Sequence, residues 1–575
     1  MYLRETKRRN ADGSEVGYLA LAHNVRDPKT GVPRAEIVHR FGRTDQVERE
    51  ALRRLIKSIS RFLDPADQVA AMVSGEVSVV ESRAMGGCWV ADQLWRRLGI
   101  EQAIVQALAG RRSDAQALER TIFAMVANRL SVKPLSKLAG CGWVAERAYV
   151  PGLTGVNEDA CYRAMDILMD VLAGLQERVF FSVATLLDLE VDLLFFDTTS
   201  TYWETDRLPD ELATDDDPDD ERVDVGGGVL IEGGRRRYGH SKDHRPELPQ
   251  VVVGMAVTRT GIPVRVWTFA GNTSDQEIIR TARDDLRDWN LARVIWVLDR
   301  GFTSERNRRY LQRAGGHYIV GEKLRSDSPD AQAALARQGR YHVVDGGLRV
   351  KQVRVDDATN RDRFVVCHNP ERADRDQQVR DRILARLADA IAGSDKLSQS
   401  KRSELYGALS TKPAFKRFLR KTPAGKLRID RAAVARETKL DGKYLLRTSD
   451  ETLSPEDLAR GYKALYEAER GWRDLKSTID LRPVYHRRED RIQAHIQLCW
   501  LALLLLRVAE TATNDTWRNL RNELDRMHLV TLATNEGTVA QRTELTHGQR
   551  RILNALELPQ PPRFYDFTPV TDQAD

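Results

Sequence analysis

Residues 191–197 read VDLLFFD and residues 293–299 read RVIWVLD, two short apolar runs that each stop on an aspartate. Runs of this length, rich in β-branched and aromatic side chains, are the pattern of strands buried on both faces. Between them, residues 249–272, PQVVVGMAVTRTGIPVRVWTFAGN, hold two more strands turned at Arg259-Thr260-Gly261. Residues 274–289, SDQEIIRTARDDLRDW, space their apolar side chains for an amphipathic helix. A second helix over 304–314 and a fifth strand, HYIVGEK, follow. The order is three strands, helix, strand, helix, strand, which predicts a mixed sheet with helices on its faces.

Residues 1–45 alternate short apolar stretches with NADGS and DPKTGVP, the pattern of a β-meander, and residues 46–63 have helical periodicity. Residues 90–190 read as helices, with Ser113 and Gln116 placed as a capping box. Residues 325–450 interrupt the core with strand-like pieces (RYHVV, LRVKQVRV, RFVVCHN) and a charged helix over 372–392. The core then resumes with DLARGYKALYEAERGWRDLKSTI, capped at Ser454. An apolar helix over 491–510 follows, which must be buried against the sheet or a partner subunit. The expected class is a multidomain α+β and α/β chain. Its divisions are a β-meander and helix at 1–65, a helical region at 66–188 that is a candidate DNA-binding module, and the first part of the core at 189–324. An insertion domain at 325–450, the last core helices at 451–515 and a C-terminal region at 516–575 complete it.

The 575 residues exceed what one core usually serves, and 41% apolar with 30% charged residues describes a folded globular chain. The longest apolar run, 498–506, is too short to span a bilayer, and MYLRETKRRN has no apolar signal segment, so a cytoplasmic location without membrane attachment is expected. Five scattered cysteines read as reduced structural thiols. The net charge of +6 is unevenly placed: residues 1–61 carry 14 Lys/Arg against 8 Asp/Glu, residues 396–439 carry 13 against 3, and residues 204–224 hold 11 acids against 2 bases. Basic segments of this kind fit a polyanionic partner, although they are equally common as solvated faces.

Asp197 and Asp299 end strands one and four of the order above. A lone strand-terminal aspartate is ordinarily a turn or cap residue. The element order is, however, that of a ribonuclease H-like fold, in which these two strands are neighbours, so two carboxylates can share a hard cation. The completing helix supplies a third acid: Tyr462, Glu469 and Lys476, spaced by seven, fall within roughly 40° on one face with Arg473 beside them. Alone, that helix is an ordinary amphipathic one with an i,i+4 pair from Glu469 to Arg473. Asp192 and Asp243 are the rival acids, and Asp192, which begins its strand, is expected at the opposite edge of the sheet.

Here the chain resembles a known family. The segment Tyr462-x₆-Glu469-x₆-Lys476 is similar to the Tyr-x₂-Arg-x₃-Glu-x₆-Lys signature of the insertion-sequence DDE transposases. The similarity extends to FFDTTSTYWE around Asp197, GHSKDHRPELPQVVVGM, FAGNTSD, VLDRGF around Asp299 and LKSTIDLRPVYHRREDRIQAHI, and covers about residues 190–510. It departs at Leu465, which stands where the signature has arginine; Lys463, Arg470 or Arg473 are the candidates to replace it.

The resemblance implies phosphodiester cleavage and strand transfer at terminal inverted repeats by a bacterial, nucleoid-associated enzyme. Three carboxylates, Asp197, Asp299 and Glu469, would hold two Mg²⁺ ions, or Mn²⁺ in their place, about 4 Å apart. Tyr462, Lys476, Arg473, Lys463 and Arg470 would position DNA, with Tyr466 and Trp472 as stacking candidates that are more commonly helix packing. In the insertion, Lys412, Lys416, Arg417, Arg420 and Lys421 are expected along one side of a helix as a phosphate clamp. The partners would be double-stranded DNA, both inverted repeats and target, and a second subunit, since two ends are cut together. The alternatives are a nuclease of the same fold that does not join DNA, and a catalytically silent DNA-binding repressor.

Overall fold

Leu193–Tyr202 (β1) is buried on both faces along most of its length, the state an apolar strand reaches only with a strand on each side and helices above and below. It lies inside a nine-stranded sheet. Gln250–Val257 (β2) and Pro263–Ala270 (β3) form an antiparallel hairpin on one side, turned at Gly261, whose φ of 80° only glycine adopts freely. Ile295–Leu298 (β4) and His317–Glu322 (β5) lie on the other side, both parallel to β1. The sheet continues through Lys443–Thr448, Arg363–His368, Arg349–Arg354 and His342–Val343, so these four strands of segment 325–450 join the same sheet as the core.

In this computed structural model the described residues are 1–569 apart from 11–13, 28–30, 61, 64–76, 110–113, 190–191, 203–221, 225–228, 232–233, 290, 292, 326–327, 356–362, 483, 485, 487 and 535–536. Ser113 of the expected capping box and nearly all of the acidic run lie outside them. The chain divides into two units. One, Met1–Met85 with Asp525–Arg550 and Gln560–Asp575, holds the meander Tyr2–Arg9, Glu15–Arg26 and Pro33–Arg43, the helix Arg49–Ser60, and a second sheet. In that sheet Ser78–Ala84 pairs with His528–Thr534, which leads to Gly537–Arg542 and Phe564–Pro569.

The other unit, Gly86–Leu524 with Arg551–Pro559, contains the nine-stranded sheet. One face packs Leu194, Phe196, Trp267, Trp296 and Val320 against Ile278, Ile279, Ala282 and Leu286 of helix Asp275–Arg287 (α1). These four side chains recur at helical spacing, which is why that segment is a helix on a sheet, and burying each of Ile278, Ile279 and Leu286 contributes about 1.5–3 kcal/mol. On the opposite face the expected long helix is two, Pro455–Lys463 (α2) and Tyr466–Ser477 (α3). Ser454 caps α2 by accepting from the Asp457 N–H at 3.0 Å. Gly461 and Gly471 let these helices approach the sheet, since a Cβ would stand 2.9 Å from Leu193 Cδ1 and 2.8 Å from Met255 Cε.

Glu489–Thr513 (α4) is long and apolar enough to cross a membrane by length and composition, but 94% of its apolar window is buried within the protein. It packs on the helices Ala115–Arg129 and Glu158–Leu186, on β3 and on α3. That contact explains the apolar run without a partner subunit, so the helix offers no free face for one.

Candidate active site

Phe196 pairs with Leu298 across the parallel strands, so Asp197 and Asp299 are the next residues on neighbouring chains. β4 stops at Leu298 and Asp299 precedes the turn Arg300–Phe302. Asp197 does not end its strand as expected: residues 197–202 continue β1 by pairing with 250–255, and only the pairing with β4 stops at Phe196. Both aspartates therefore sit where one flank of the sheet opens, at the carboxyl end of β4.

Burial pushes the Asp197 carboxyl up to about 6; the charge of Lys242 opposes this, and Asp299 and Asp275 reinforce it. Asp299 accepts a hydrogen bond at 3.2 Å from the Tyr462 hydroxyl. That phenol is pushed well above its ordinary value by burial and by Asp299. Tyr462 fits because residue 321 is glycine: a Cβ there would be 2.1 Å from the hydroxyl oxygen. Asp192 is elsewhere, at the start of β1 and paired with Arg259 at 2.5 Å.

Tyr462 and Glu469 do not share one continuous helical face. Leu465 N–H bonds to Tyr462 O, Glu467 N–H to Ala464 O and Ala468 N–H to Leu465 O, all three residues back, a tightened turn that separates α2 from α3. Leu465 is buried at this turn, so the position of the signature arginine is part of the packing. Glu469 is exposed, in a cleft of about 640 Å³ lined also by Asp299, Arg300, Tyr462, Lys463 and Tyr466, and by Arg372, Arg417 and Lys443 from segment 325–450. Among the described residues no three His, Cys, Asp or Glu side chains come close enough together to hold a metal ion. Two neighbouring carboxylates, one desolvated, are nonetheless the oxygen donors a hard divalent cation takes, and Glu469 is the acid of the cleft nearest in chain to the tyrosine that binds Asp299.

The other candidates divide sharply. Lys476 is held by Asp243 at 2.7 Å, and Arg482 binds the same carboxylate. Arg470 is bound by Glu510 at 2.5 Å, in a network where buried Arg507 also joins Asp474 and Glu510. Lys463 is exposed at the cleft, and Arg473 reaches over Tyr466 with 5.7 Å from guanidinium carbon to ring centre. Trp472 is buried packing.

Lys412, Lys416, Arg417, Arg420 and Lys421 are all exposed but do not line one helix. Pro413–Lys416 is a single turn and Leu419–Lys421 is a strand paired with Leu427–Ile429, so the five ride on a turn and a hairpin. Arg417 pairs with Glu437 at 3.5 Å. Two residues at the site escaped the sequence reading: Lys242, whose Nζ donates to Thr198 O at 2.8 Å, and Asp275, which accepts from Thr198 Oγ1 at 2.6 Å. Their only signal is membership of GHSKDH and FAGNTSD.

Residues 200–505, more than half of the chain, match a family model described as a transposase DDE domain. Residues 3–69 match one described as the N-terminal domain of IS1634 family transposases. No curated protein matches the chain. Among solved structures it is similar to the piggyBac transposase in a synaptic complex with hairpin DNA, with 9% identity over 82% of this chain and 79% of that one and a TM-score of 0.32.

Proposed function

Since the chain belongs to the insertion-sequence DDE transposases, DNA-cutting and strand-transfer enzymes that depend on a divalent metal ion, we propose that Asp197, Asp299 and Glu469 are its metal-binding and catalytic acids. The observation that carries this reading is the register of β1 and β4, which makes the two aspartates neighbours at the open flank of the sheet. The strand order β3-β2-β1-β4-β5, with β4 and β5 parallel to β1 and the hairpin antiparallel, supports a ribonuclease H-like core.

Two Mg²⁺ ions held there would activate the attacking water or 3′-hydroxyl and stabilise the leaving oxygen of the phosphodiester. The protein's own groups do the placing. Tyr462 fixes the Asp299 carboxylate through its hydroxyl. Asp243 ties Lys476 and Arg482 together, which fastens the end of α3 to the loop before β2 and so holds Glu469 at the cleft. Arg300 and Lys463 are exposed at the cleft and would meet the phosphates of a DNA strand entering it. The basic turn and hairpin of the insertion, read as a domain of its own over 325–450, would hold the flanking duplex by its phosphates. Cutting and joining two inverted repeats together calls for two subunits in the DNA complex.

The test is Mg²⁺-dependent cleavage and joining of a duplex bearing the element's end. D197N, D299N and E469Q are each expected to lose both products while still binding the end, and D192N to retain them. Wild-type activity in any of the three would remove that residue from the site, and cleavage without strand-transfer products would point to a nuclease.

A further inference from the structure

Past Phe196, β1 has no strand partner on the β4 side among the described residues, and a cation occupies that open edge. The Lys242 ammonium donates to Thr198 O at 2.8 Å and to Thr198 Oγ1, and stands 3.5 Å from Asp275 Oδ2. The Lys242 N–H donates to Ser200 Oγ at 3.0 Å, so backbone and side chain are fixed together. Thr198 in turn donates to Asp275 Oδ1 at 2.6 Å. Asp275 Oδ2 also lies 3.3 Å from where a Cβ on Gly301 would stand, two residues beyond Asp299. Lys242 is therefore held by the residue next to Asp197 and by a carboxylate packed beside the turn that follows Asp299. Among the described residues no ion pair joins it to Asp197 itself. Its charge acts on Asp197 through space, more strongly than the opposing charge of Asp275.

A fixed positive charge beside a site for divalent cations opposes their entry, and the opposition grows as water is excluded. The phosphates of a bound DNA strand carry the compensating charge. Resting on the reading of Asp197 and Asp299 as metal ligands, we propose that Lys242 is a resident cation of the centre, a positioning residue that weakens divalent-ion binding in the DNA-free protein, so that metal and DNA are taken up together.

The test is Mn²⁺ binding to the full-length protein, followed by the electron paramagnetic resonance signal of the free ion, with and without end-bearing duplex. K242Q is expected to bind Mn²⁺ roughly tenfold more tightly than wild type without DNA and to show a smaller gain when DNA is added. D275N, which strips Lys242 of its counter-charge, should shift the DNA-free affinity the opposite way, and K242R should stay close to wild type. K242M, which removes the same charge but keeps the aliphatic stem, should tighten Mn²⁺ binding as K242Q does, and it carries the test even where K242Q folds poorly. Unchanged or weaker Mn²⁺ binding in K242Q, with D197N abolishing the site, overturns the role of Lys242 alone. Wild-type Mn²⁺ binding in D197N overturns the ligand assignment and this inference with it.

Discussion

Gly321→Ala isolates the contact between α2 and Asp299. A Cβ at 321 would stand 2.1 Å from the Tyr462 hydroxyl oxygen, 2.8 Å from its Cζ and 3.3 Å from Arg300 Cγ. Ordinary contacts at Cβ begin near 3.4 Å, so the phenol must retreat by more than an ångström. Its hydrogen bond to Asp299, 3.2 Å long, cannot survive that retreat. A hydrogen bond to a charged acceptor contributes about 1.5–3 kcal/mol. At about 1.4 kcal/mol per decade, cleavage should fall by roughly 10- to 150-fold if Asp299 must be held for the reaction. The fold should tolerate the change, because residue 321 lies in a strand where alanine is no worse than glycine. Single-turnover cleavage of end DNA, with thermal melting as the control, gives the answer. Y462F should show a similar loss, and G321A/Y462F no more than either alone. Wild-type cleavage in G321A would refute the reasoning, since the tyrosine would then be dispensable to Asp299.

Protonation of Asp197, raised to about 6 by burial, should oppose metal binding, so the apparent Mn²⁺ affinity of the DNA-free protein should fall as pH drops below about 6. For stability the sign is reversed: the folded state binds this proton more tightly than the unfolded chain, so metal-free protein should lose stability as pH rises from about 4 to 6, and D197N should flatten that part of the melting profile. Lys137, buried against His495 at 3.1 Å and lowered to about 7 by burial, should make stability climb as pH rises from about 7 toward 10, and K137M should remove the slope in a melting series. In the insertion, Lys412, Lys416 and Arg420 changed together to glutamine should flatten the plot of log affinity against log salt by about 0.9 for each phosphate they no longer neutralise; an unchanged slope in the folded protein would make that surface a bystander.

The core was legible wherever burial is apolar and local. VDLLFF, VVVGMAV and RVIWVL announced β1, β2 and β4, and α1 announced itself by its four buried side chains. The continuation of β1 was not legible, because Thr198, Thr199, Ser200 and Thr201 are polar and yet buried, their backbone paired in the ladder with β2 and Thr198 and Ser200 bonded to Lys242. The break at Leu465 has neither glycine nor proline to mark it. The pairing of Ser78–Ala84 with His528–Thr534 joins segments that no local pattern connects. At the site, the aspartates could be read from where their apolar runs stop, whereas Lys242 and Asp275 act from loops whose geometry is set by the sheet they touch. Lys476 and Arg470 looked free for DNA as letters on a helix, but their acids, Asp243 and Glu510, come from distant segments.

The strand Lys443–Thr448 lies between β5 and Arg363–His368, antiparallel to both. During synthesis, β5 leaves the ribosome roughly 120 residues before this partner, so at about 5–20 residues per second its edge stays open for about 6–24 seconds. A nascent chain with an apolar strand exposed that long is a substrate for holding chaperones and a site of misassembly with other copies. The same arrangement has a permissive side. Because the segment leaves from β5 and returns beside it, its length can change without moving the ends that frame Asp299 and Glu469, which makes this the place where the enzyme can gain or lose residues and still close its sheet.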